Sequence, residues 1–260
     1  MTVVVKLGGH ALDRLDASAP RLVELAQDVL AVCDEGVLVV HGGGPQIAEL
    51  SERLDVTSHF VDGLRVTDAE AMRVVAWALS EVNLAVTSAL AHAGLPAVGI
   101  AGVSGAAVTG APAGPTWGRT AQGVDVDPAL LVALMHASWV PVVSPIALAS
   151  DGGMINANAD TVAGAIAGAV GARTLFLLSD VAQLRADPDD ASSALAQVTG
   201  EDVAQMLASG AIRDGMRPKA RAALDALRAG AQRVVVGDGT RPHAVRELLA
   251  GQAPSTEVVA

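Results

Sequence analysis

The chain has 260 residues, of which 51% are hydrophobic and 2% aromatic, and its formal net charge at pH 7 is −11. This size suffices for one large α/β domain, or two closely joined lobes, with an aliphatic core. The negative charge argues against nucleic acid or an anionic membrane as a partner. A single cysteine, Cys33, forms no internal disulfide. With no signal peptide or membrane-spanning stretch in the sequence, we expect a cytoplasmic protein.

Strand-like and helix-like segments alternate along the chain, which predicts a three-layer αβα sandwich with a mostly parallel central sheet. The predicted strands are 2–7, 36–40, 97–101, 140–144, 173–179 and 233–237. The predicted helices are 19–33, 45–54, 68–93, 127–137, 159–170, 200–209, 217–229 and 242–250. Between them, residues 103–126 lack a helical period and predict a β-hairpin flap.

The first predicted strand is apolar except for Lys6, and it ends at the glycine pair Gly8 and Gly9. A lysine in a buried strand is costly without an anionic partner. Either Lys6 lies at a frayed strand end and reaches water, or it reaches a bound phosphate at the carboxyl edge of the sheet, where α/β proteins bind ligands.

A second glycine turn follows the next predicted strand, where His41 precedes Gly42, Gly43 and Gly44 and Pro45 opens a helix. Glycine amides and a helix N-terminus directed at one point form an anion site. The alternative is a tight strand-to-helix turn without a ligand. We expect His41 to pack beside the turn and not to act as a base.

Arg65 lies just before the long apolar helix, and its planar guanidinium suits the capture of a carboxylate. The alternative is a surface arginine paired with Asp62 or Asp68. Residues 67–70 have the spacing of a capping box that starts the helix at Thr67. The helix is apolar nearly all round, which fits either a central core helix or a subunit interface.

Two further segments combine a helix start with polar residues. Asn158 is a good N-cap, and Asp160 then falls in the first turn, where the helix dipole favours a carboxylate. Asn156 has no such structural explanation and is predicted to contact a ligand. Lys219 follows Pro218 in a first turn, where a cation is disfavoured unless an anion lies between it and the helix terminus. The alternative is a solvated lysine.

These residues bind anions, and the sequence has no Ser–His–Asp order, no Cys/His cluster and no P-loop spacing. Phosphoryl transfer needs mainly positioning and charge neutralisation, which such residues supply. In this order along the chain, the motifs resemble the amino acid kinase family, and within it the acetylglutamate kinases. The resemblance rests on Lys6-Leu7-Gly8-Gly9, Val40-His41-Gly42-Gly43-Gly44-Pro45, Asp62-Gly63-Leu64-Arg65-Val66-Thr67, Asn156-Ala157-Asn158-Ala159-Asp160, Leu178-Ser179-Asp180-Val181 and Gly215-Met216-Arg217-Pro218-Lys219.

The resemblance implies the amino acid kinase fold and phosphorylation of the γ-carboxylate of N-acetyl-L-glutamate by MgATP, in arginine biosynthesis. Residues 1–172 would bind the acceptor and dimerise, and 173–260 would bind the nucleotide on the same continuous sheet. The family holds Mg²⁺ mostly through ATP phosphates and water, so no protein ligands to the metal are expected. The acceptor carboxylate, with a pKa of about 4.3, is already ionised at pH 7 and needs no general base.

The resemblance also implies a role for individual residues. Lys6 and Lys219 would stabilise the transferring phosphoryl group, and Asp160 would orient both lysines. The acceptor would be held by the N–H groups of Gly42 and Gly43 and by the side chains of Arg65 and Asn156. The nucleotide site would be lined by Gly8, Gly9, Asp180, Val181, Ala182, Gln183, Leu184, Ala211, Ile212 and Arg213. Gln183 stands where the family usually has glycine, which would reshape the adenine edge.

Two other functions fit parts of this pattern. A kinase for carrier-protein-linked aminoadipate or glutamate has the same chemistry, but an acidic carrier requires a basic acceptor mouth, and residues 57–66 have no Lys/Arg cluster. A non-catalytic nucleotide- or amino-acid-binding regulatory module does not need Lys6, Asp160 and Lys219 together.

The resemblance also bears on assembly. Arginine-inhibited members of the family carry an extra N-terminal helix that links dimers into a hexamer. Because the first predicted strand begins at residue 2 or 3, we expect no such helix, and a homodimer that is insensitive to arginine.

Overall fold

An eight-stranded sheet forms the centre of the fold, with helices on both faces. The computed structural model describes residues 2–8, 12, 14–16, 19–32, 36–61, 63–187, 189–213 and 216–260. The strands are β1 (Val3–Leu7), β2 (Val37–His41), β3 (Phe60–Val61), β4 (Leu64–Arg65), β5 (Ala97–Ala101), β6 (Val108–Pro112), β7 (Ala121–Val126), β8 (Val140–Ser144), β9 (Ile146–Ala149), β10 (Met154–Asn156), β11 (Thr174–Ser179), β12 (Gln197–Thr199), β13 (Arg233–Asp238) and β14 (Ser255–Val259). The helices are α1 (Pro20–Val32), α2 (Gly44–Arg53), α3 (Ala69–His92), α4 (Ala129–His136), α5 (Ala159–Ala169), α6 (Gly200–Ser209), α7 (Met216–Arg228) and α8 (Ala244–Leu249).

The strand order of the main sheet is β12-β14-β13-β11-β1-β2-β8-β5. The strands from β13 to β5 are parallel, and β14 runs antiparallel to β13. Strands from residues 1–172 and from 173–260 occupy opposite halves of this sheet and meet where β1 pairs with β11. The division of function between these halves stays a prediction.

Alternation of side chains along the central strands builds two cores. Val3 and Val5 face the helices α1, α3 and α8, whereas Val4 faces the side covered by α5 and α7. Lys6 follows the same alternation and lies on the α5 side. The three-layer αβα sandwich with a mostly parallel sheet is therefore confirmed, and each predicted strand and helix is present.

The structure adds strands that lack a clear sequence pattern. The flap predicted over 103–126 contains the hairpin β6–β7, which joins β9 and β10 in a second, four-stranded sheet. The short hairpin β3–β4 precedes α3, while β12 and β14 extend the main sheet. These segments are short or mixed in polarity. Several of them pair with strands that are far away in the sequence, so their local pattern does not identify them as strands.

Two predicted helix starts are wrong in detail. The N-cap of α3 is Asp68, whose side chain accepts a hydrogen bond from the N–H of Ala71 at 2.8 Å, and not Thr67. Thr67 is instead fully buried before the helix. Helix α7 begins at Met216 and not at residue 217, so Pro218 is its third residue.

Helix α3 is long and apolar enough to cross a membrane by length and composition, but 56% of its most apolar window is buried in the protein. It packs against α1, α2, β5 and β8, as a core helix does. Trp77 and Leu84 are exposed on its outer side. Dimerisation through this helix stays a prediction.

A buried polar link joins α3 to the sheet beneath the glycine turn. The imidazole of His41 is fully buried, and burial lowers its pKa from 6.5 to about 4. Its Nε2 lies 3.1 Å from Nδ2 of Asn83, which also donates to the carbonyl of Val142 at 2.9 Å. His41 is therefore neutral at pH 7 and packs in the core, as its position predicts.

This burial predicts a pH dependence of stability. Between pH 6.5 and about 4 the unfolded chain takes up a proton at His41 that the folded chain does not. As the pH is lowered through this range, the free energy of unfolding therefore decreases, by about 3 kcal/mol for this residue. In His41→Gln this component should be absent. Urea unfolding of both proteins from pH 4 to 8 measures it, and parallel curves would contradict the prediction.

Candidate functional site

The carboxyl ends of the parallel strands β1, β2 and β11 lie at one edge of the main sheet. The pairing of these strands continues for one more residue: the N–H of Gly8 donates to the carbonyl of Leu178 at 2.9 Å, and the N–H of Gly42 donates to that of Leu7 at 2.8 Å. A Cβ atom at residue 8 would lie 3.0 Å from the Leu178 oxygen, so a glycine is needed for this close approach. This edge is where the predicted site residues meet.

Lys6 and Asp160 form an ion pair inside the protein. Nζ of Lys6 lies 2.6 Å from Oδ1 of Asp160, and the two side chains are 8% and 11% exposed. Asn158 caps α5 by accepting from the N–H groups of Asp160 and Thr161 at 2.8 and 3.2 Å, so the predicted N-cap is confirmed. The cap fixes the start of α5 and so holds the carboxylate of Asp160 over β1.

Lys219 lies in the first turns of α7, which packs against α5 on the same face of the sheet. Its Nζ is 3.9 Å from Oδ1 of Asp180, and the lysine side chain is mostly buried while the aspartate is mostly exposed. Asp160 was predicted to orient both lysines. In the structure Asp160 is paired with Lys6, whereas Lys219 lies near a different carboxylate.

A cavity of about 220 Å³ opens at this edge, beside the N-terminus of α2. It brings together all four residues predicted to bind the acceptor. Its lining consists of Gly42, Gly43, Gly44, Ile47, Phe60, Gly63, Leu64, Arg65, Leu79, Thr120, Pro145, Asn156, Ala157, Asn158 and Ala159. Because Ala159 and Asn158 lead into Asp160, the cavity adjoins the buried ion pair. We call it the acceptor cavity.

Arg65 supplies the positive charge of the acceptor cavity. Its guanidinium donates to the hydroxyl of Ser58 and, at 3.4 Å, to the carbonyl of Gly44, and it lies 4.7 Å from the ring centre of Phe60. Partial burial lowers the pKa of Arg65, although a guanidinium stays charged at neutral pH. Among the described residues no carboxylate pairs with it, Asp68 included. Asp62, its other predicted partner, lies outside them.

Asn156 is held by a polar network that the sequence did not reveal. Its Nδ2 donates to Oγ1 of Thr67 at 3.2 Å, and Oγ1 of Thr67 lies 3.0 Å from Oγ1 of Thr120. The hydroxyl of Thr120 donates to the carbonyl of Arg65 at 2.5 Å. Both threonines are buried. Thr67 therefore holds the side chain of Asn156, and Thr120 holds the backbone of Arg65. Nothing in the local sequence pattern distinguishes either residue from an ordinary threonine.

The glycine turn leaves different N–H groups open to a ligand from those predicted. The N–H of Gly42 donates within the sheet, so it is not available to a ligand. In the described part of the chain, the N–H groups of Gly43 and Gly44 have no hydrogen-bond partner. A Cβ atom on Gly43 would lie 2.8 Å from Cδ2 of Leu79, so the turn packs tightly against α3.

The residues predicted to line the nucleotide site divide into two groups. Asp180 to Gln183 and Ala211 are partly or well exposed, and Arg213 is exposed with its Nη2 3.8 Å from a carboxylate oxygen of Asp189. The side chains of Leu184 and Ile212 are buried in the core, so only their backbone can face a ligand. Gly9 lies outside the described residues.

Gln183, which departs from the family pattern, has a structural partner. Its Nε2 donates to the carbonyl of Ser255 at 3.0 Å, and the next residue, Leu184, donates its N–H to Oγ1 of Thr256 at 2.8 Å. The segment after β11 is therefore tied to β14.

In the described part of the chain, no group of three or more His, Cys, Asp or Glu side chains is arranged to hold a metal ion. Mg²⁺ commonly binds through substrate phosphates, water and one or two carboxylates. The exposed carboxylate of Asp180 beside Lys219 fits an ion that arrives with a nucleotide.

The comparison with protein families decides the identity of the fold. Residues 1–238 match the amino acid kinase family. The chain belongs to this family. Among its relatives, the acetylglutamate kinase of Symbiobacterium thermophilum is 38% identical over 269 residues, which cover 99% of this chain and 91% of the relative. That of Roseobacter denitrificans is 39% identical over 246 residues, covering 94% and 83%.

Solved structures of the amino acid kinase fold agree. The Streptococcus mutans protein smu.665 superimposes with a TM-score of 0.78 and 26% identity, covering 91% of this chain and 94% of that one. Giardia carbamate kinase gives a TM-score of 0.69 at 14% identity over 99% and 98% of the two chains. The second likeness concerns the fold alone.

Breaking the buried ion pair should destabilise the fold. Asp160→Asn leaves the Lys6 charge buried without a counter-charge, which costs about 3 to 5 kcal/mol. The double variant Lys6→Met, Asp160→Asn removes both charges and should recover most of that loss. Urea unfolding of the three proteins measures this. If the single variant is as stable as the unaltered protein, the pair is not buried as described.

Proposed function

We propose that this chain transfers the γ-phosphoryl group of ATP to the side-chain carboxylate of N-acetyl-L-glutamate, forming N-acetylglutamyl 5-phosphate in arginine biosynthesis. The observation that carries the proposal is the near full-length similarity to relatives named acetylglutamate kinase. The acceptor cavity supports it, because it combines one cation with polar groups suited to a small acylated amino acid.

Arg65 and Asn156 select the acceptor. The guanidinium of Arg65 grips a carboxylate in two hydrogen bonds, for which a planar fork is suited. The side chain of Asn156, fixed by Thr67, contacts the acetamido end. The N–H groups of Gly43 and Gly44 and the N-terminus of α2 hold the reacting carboxylate by backbone charge alone.

The chemical step requires charge stabilisation and alignment. A side-chain carboxylate is ionised at pH 7 and attacks without a base. Lys6, held by Asp160, and Lys219, at the start of α7, stabilise the charge on the transferring phosphoryl oxygens. Mg²⁺, when bound to the phosphates of ATP, neutralises part of their charge.

The nucleotide lies over the half of the sheet formed by residues 173–260, against the loop that begins at Asp180 and the segment that ends at Arg213. The buried side chains of Leu184 and Ile212 support these segments from below. The enzyme works in the cytoplasm as a homodimer that pairs through the exposed side of α3.

Release of ADP by the purified protein with MgATP and N-acetyl-L-glutamate tests the proposal. Hydroxylamine converts an acyl phosphate into a hydroxamate, so hydroxamate should form in equal amount to ADP. Control acceptors are L-glutamate, which lacks the acetyl group, and N-acetyl-L-aspartate, which is one methylene shorter. The proposal would be overturned if only a carrier-protein-linked acceptor were phosphorylated, or if no acceptor were phosphorylated at all.

Loss of either lysine should lower turnover. We expect Lys6→Ala and Lys219→Ala each to reduce kcat by roughly 10² to 10³-fold, the scale for losing one preorganised charge stabiliser. Arg53→Ala, which removes a surface cation whose ion pair to Glu49 is exposed, is the control. Activity is expressed per folded protein, measured by circular dichroism. Near-normal turnover in a lysine variant places that lysine away from the phosphoryl group.

Loss of Arg65 should weaken acceptor binding. A hydrogen bond to a charged partner contributes about 1.5 to 3 kcal/mol, so Arg65→Ala should raise KM for N-acetylglutamate about 10 to 100-fold and leave KM for ATP little changed. The control is Arg73→Ala, since Arg73 also lies over an aromatic ring, Trp77 at 5.1 Å, but outside the acceptor cavity. An equal rise of both KM values would contradict the assignment.

A further inference from the structure

We infer that His41 is a positioning residue of the acceptor site: its ring N–H holds the carbonyl of Gly42 and thereby directs the N–H of Gly43 at the acceptor. The inference rests on the function proposed above. His41 does not itself touch the acceptor cavity, because its side chain is fully buried behind the glycine turn.

The neighbours of His41 determine which ring nitrogen carries the proton. Nδ2 of Asn83 lies 2.9 Å from the carbonyl of Val142 and 3.1 Å from Nε2 of His41. The amide must present its NH₂ group to that carbonyl, since its oxygen cannot donate. Nε2 of His41 therefore accepts a hydrogen bond. In the neutral ring Nδ1 then carries the hydrogen and donates it to the carbonyl of Gly42 at 2.8 Å.

The peptide bond transmits this orientation. In a trans peptide the C=O and N–H groups point in opposite directions, and the described residues contain no cis peptide bond. Since the Gly42 carbonyl points to the buried imidazole, the N–H of Gly43 points away from it. That N–H has no partner in the described part of the chain, and both glycines line the acceptor cavity.

The turn is also restrained from a second direction. A Cβ atom on Gly43 would lie 2.8 Å from Cδ2 of Leu79 and 3.4 Å from Cγ2 of Val82, so side chains of α3 pack closely against the turn. Asn83, the next residue of the same helix, fixes His41. Helix α3 therefore restrains both the glycine turn and the imidazole of His41, which orients the peptide bond between Gly42 and Gly43. A donor held this way pays no reorganisation energy when charge develops on the acceptor.

Two substitutions separate orientation from packing. In His41→Asn the side-chain amide nitrogen takes the place of Nδ1 and can still donate to Gly42. In His41→Gln the amide takes the place of Nε2, so it meets Asn83 but leaves the Gly42 carbonyl without a donor. Both variants lose the ring volume. We expect His41→Asn to retain most of kcat/KM for N-acetylglutamate and His41→Gln to lose about 10²-fold, the scale for one preorganised donor, with KM for ATP unchanged in both.

The unaltered protein is assayed first, and its failure to phosphorylate N-acetylglutamate would overturn the proposed function itself. With an active protein, equal activity of the two folded variants would overturn the inference about His41. A measurement on the unaltered protein covers the case in which a variant does not fold. The amide NMR signal of Gly43, in glycine-labelled protein, should shift when N-acetylglutamate is added. A signal that does not move would overturn the inference as well.

Discussion

A positive charge in the middle of the sheet governs the arrangement of this protein. Lys6 lies on the central strand β1, and its side chain is nearly as buried as the valines beside it. Such a charge is tolerated only with a counter-charge at close range. Asp160 supplies it because α5 starts directly over β1, and α5 starts there because Asn158 caps it. The cap of one helix therefore places the counter-charge of one strand residue.

The composition shows how selectively that chemistry is placed. The chain contains 15 arginines and only two lysines, and both lysines lie at the carboxyl edge of the sheet with mostly buried side chains. Arginine, with its planar fork, serves the outward ion pairs and the acceptor cavity, whereas a lysine is a compact charge on a flexible stem. This separation of the two cation types matches the proposed roles, in which Arg65 binds the acceptor and the lysines stabilise the transferring phosphoryl group.

The sequence predicted the layers and the central strands because each is encoded locally: runs of valine for buried strands, caps and periodic apolar residues for helices. It singled out four residues that line one cavity, because glycine, arginine and asparagine stood out against apolar neighbours. Thr67 and Thr120 were missed, since their role depends on a contact between segments far apart in the chain. Gly42 was misjudged for the same reason: the bond that engages its N–H comes from β1, and no local pattern shows that partner.

The strand order has a consequence for synthesis of the chain. β1 emerges first but lies in the middle of the sheet, with β2 on one side and β11, which begins at Thr174, on the other. Until β11 leaves the ribosome, one edge of β1 is unpaired and carries a row of open backbone groups beside Lys6. Non-local pairing of this kind folds slowly and exposes strand edges to aggregation. That edge of β1 is closed only once β11 has been made and pairs with it.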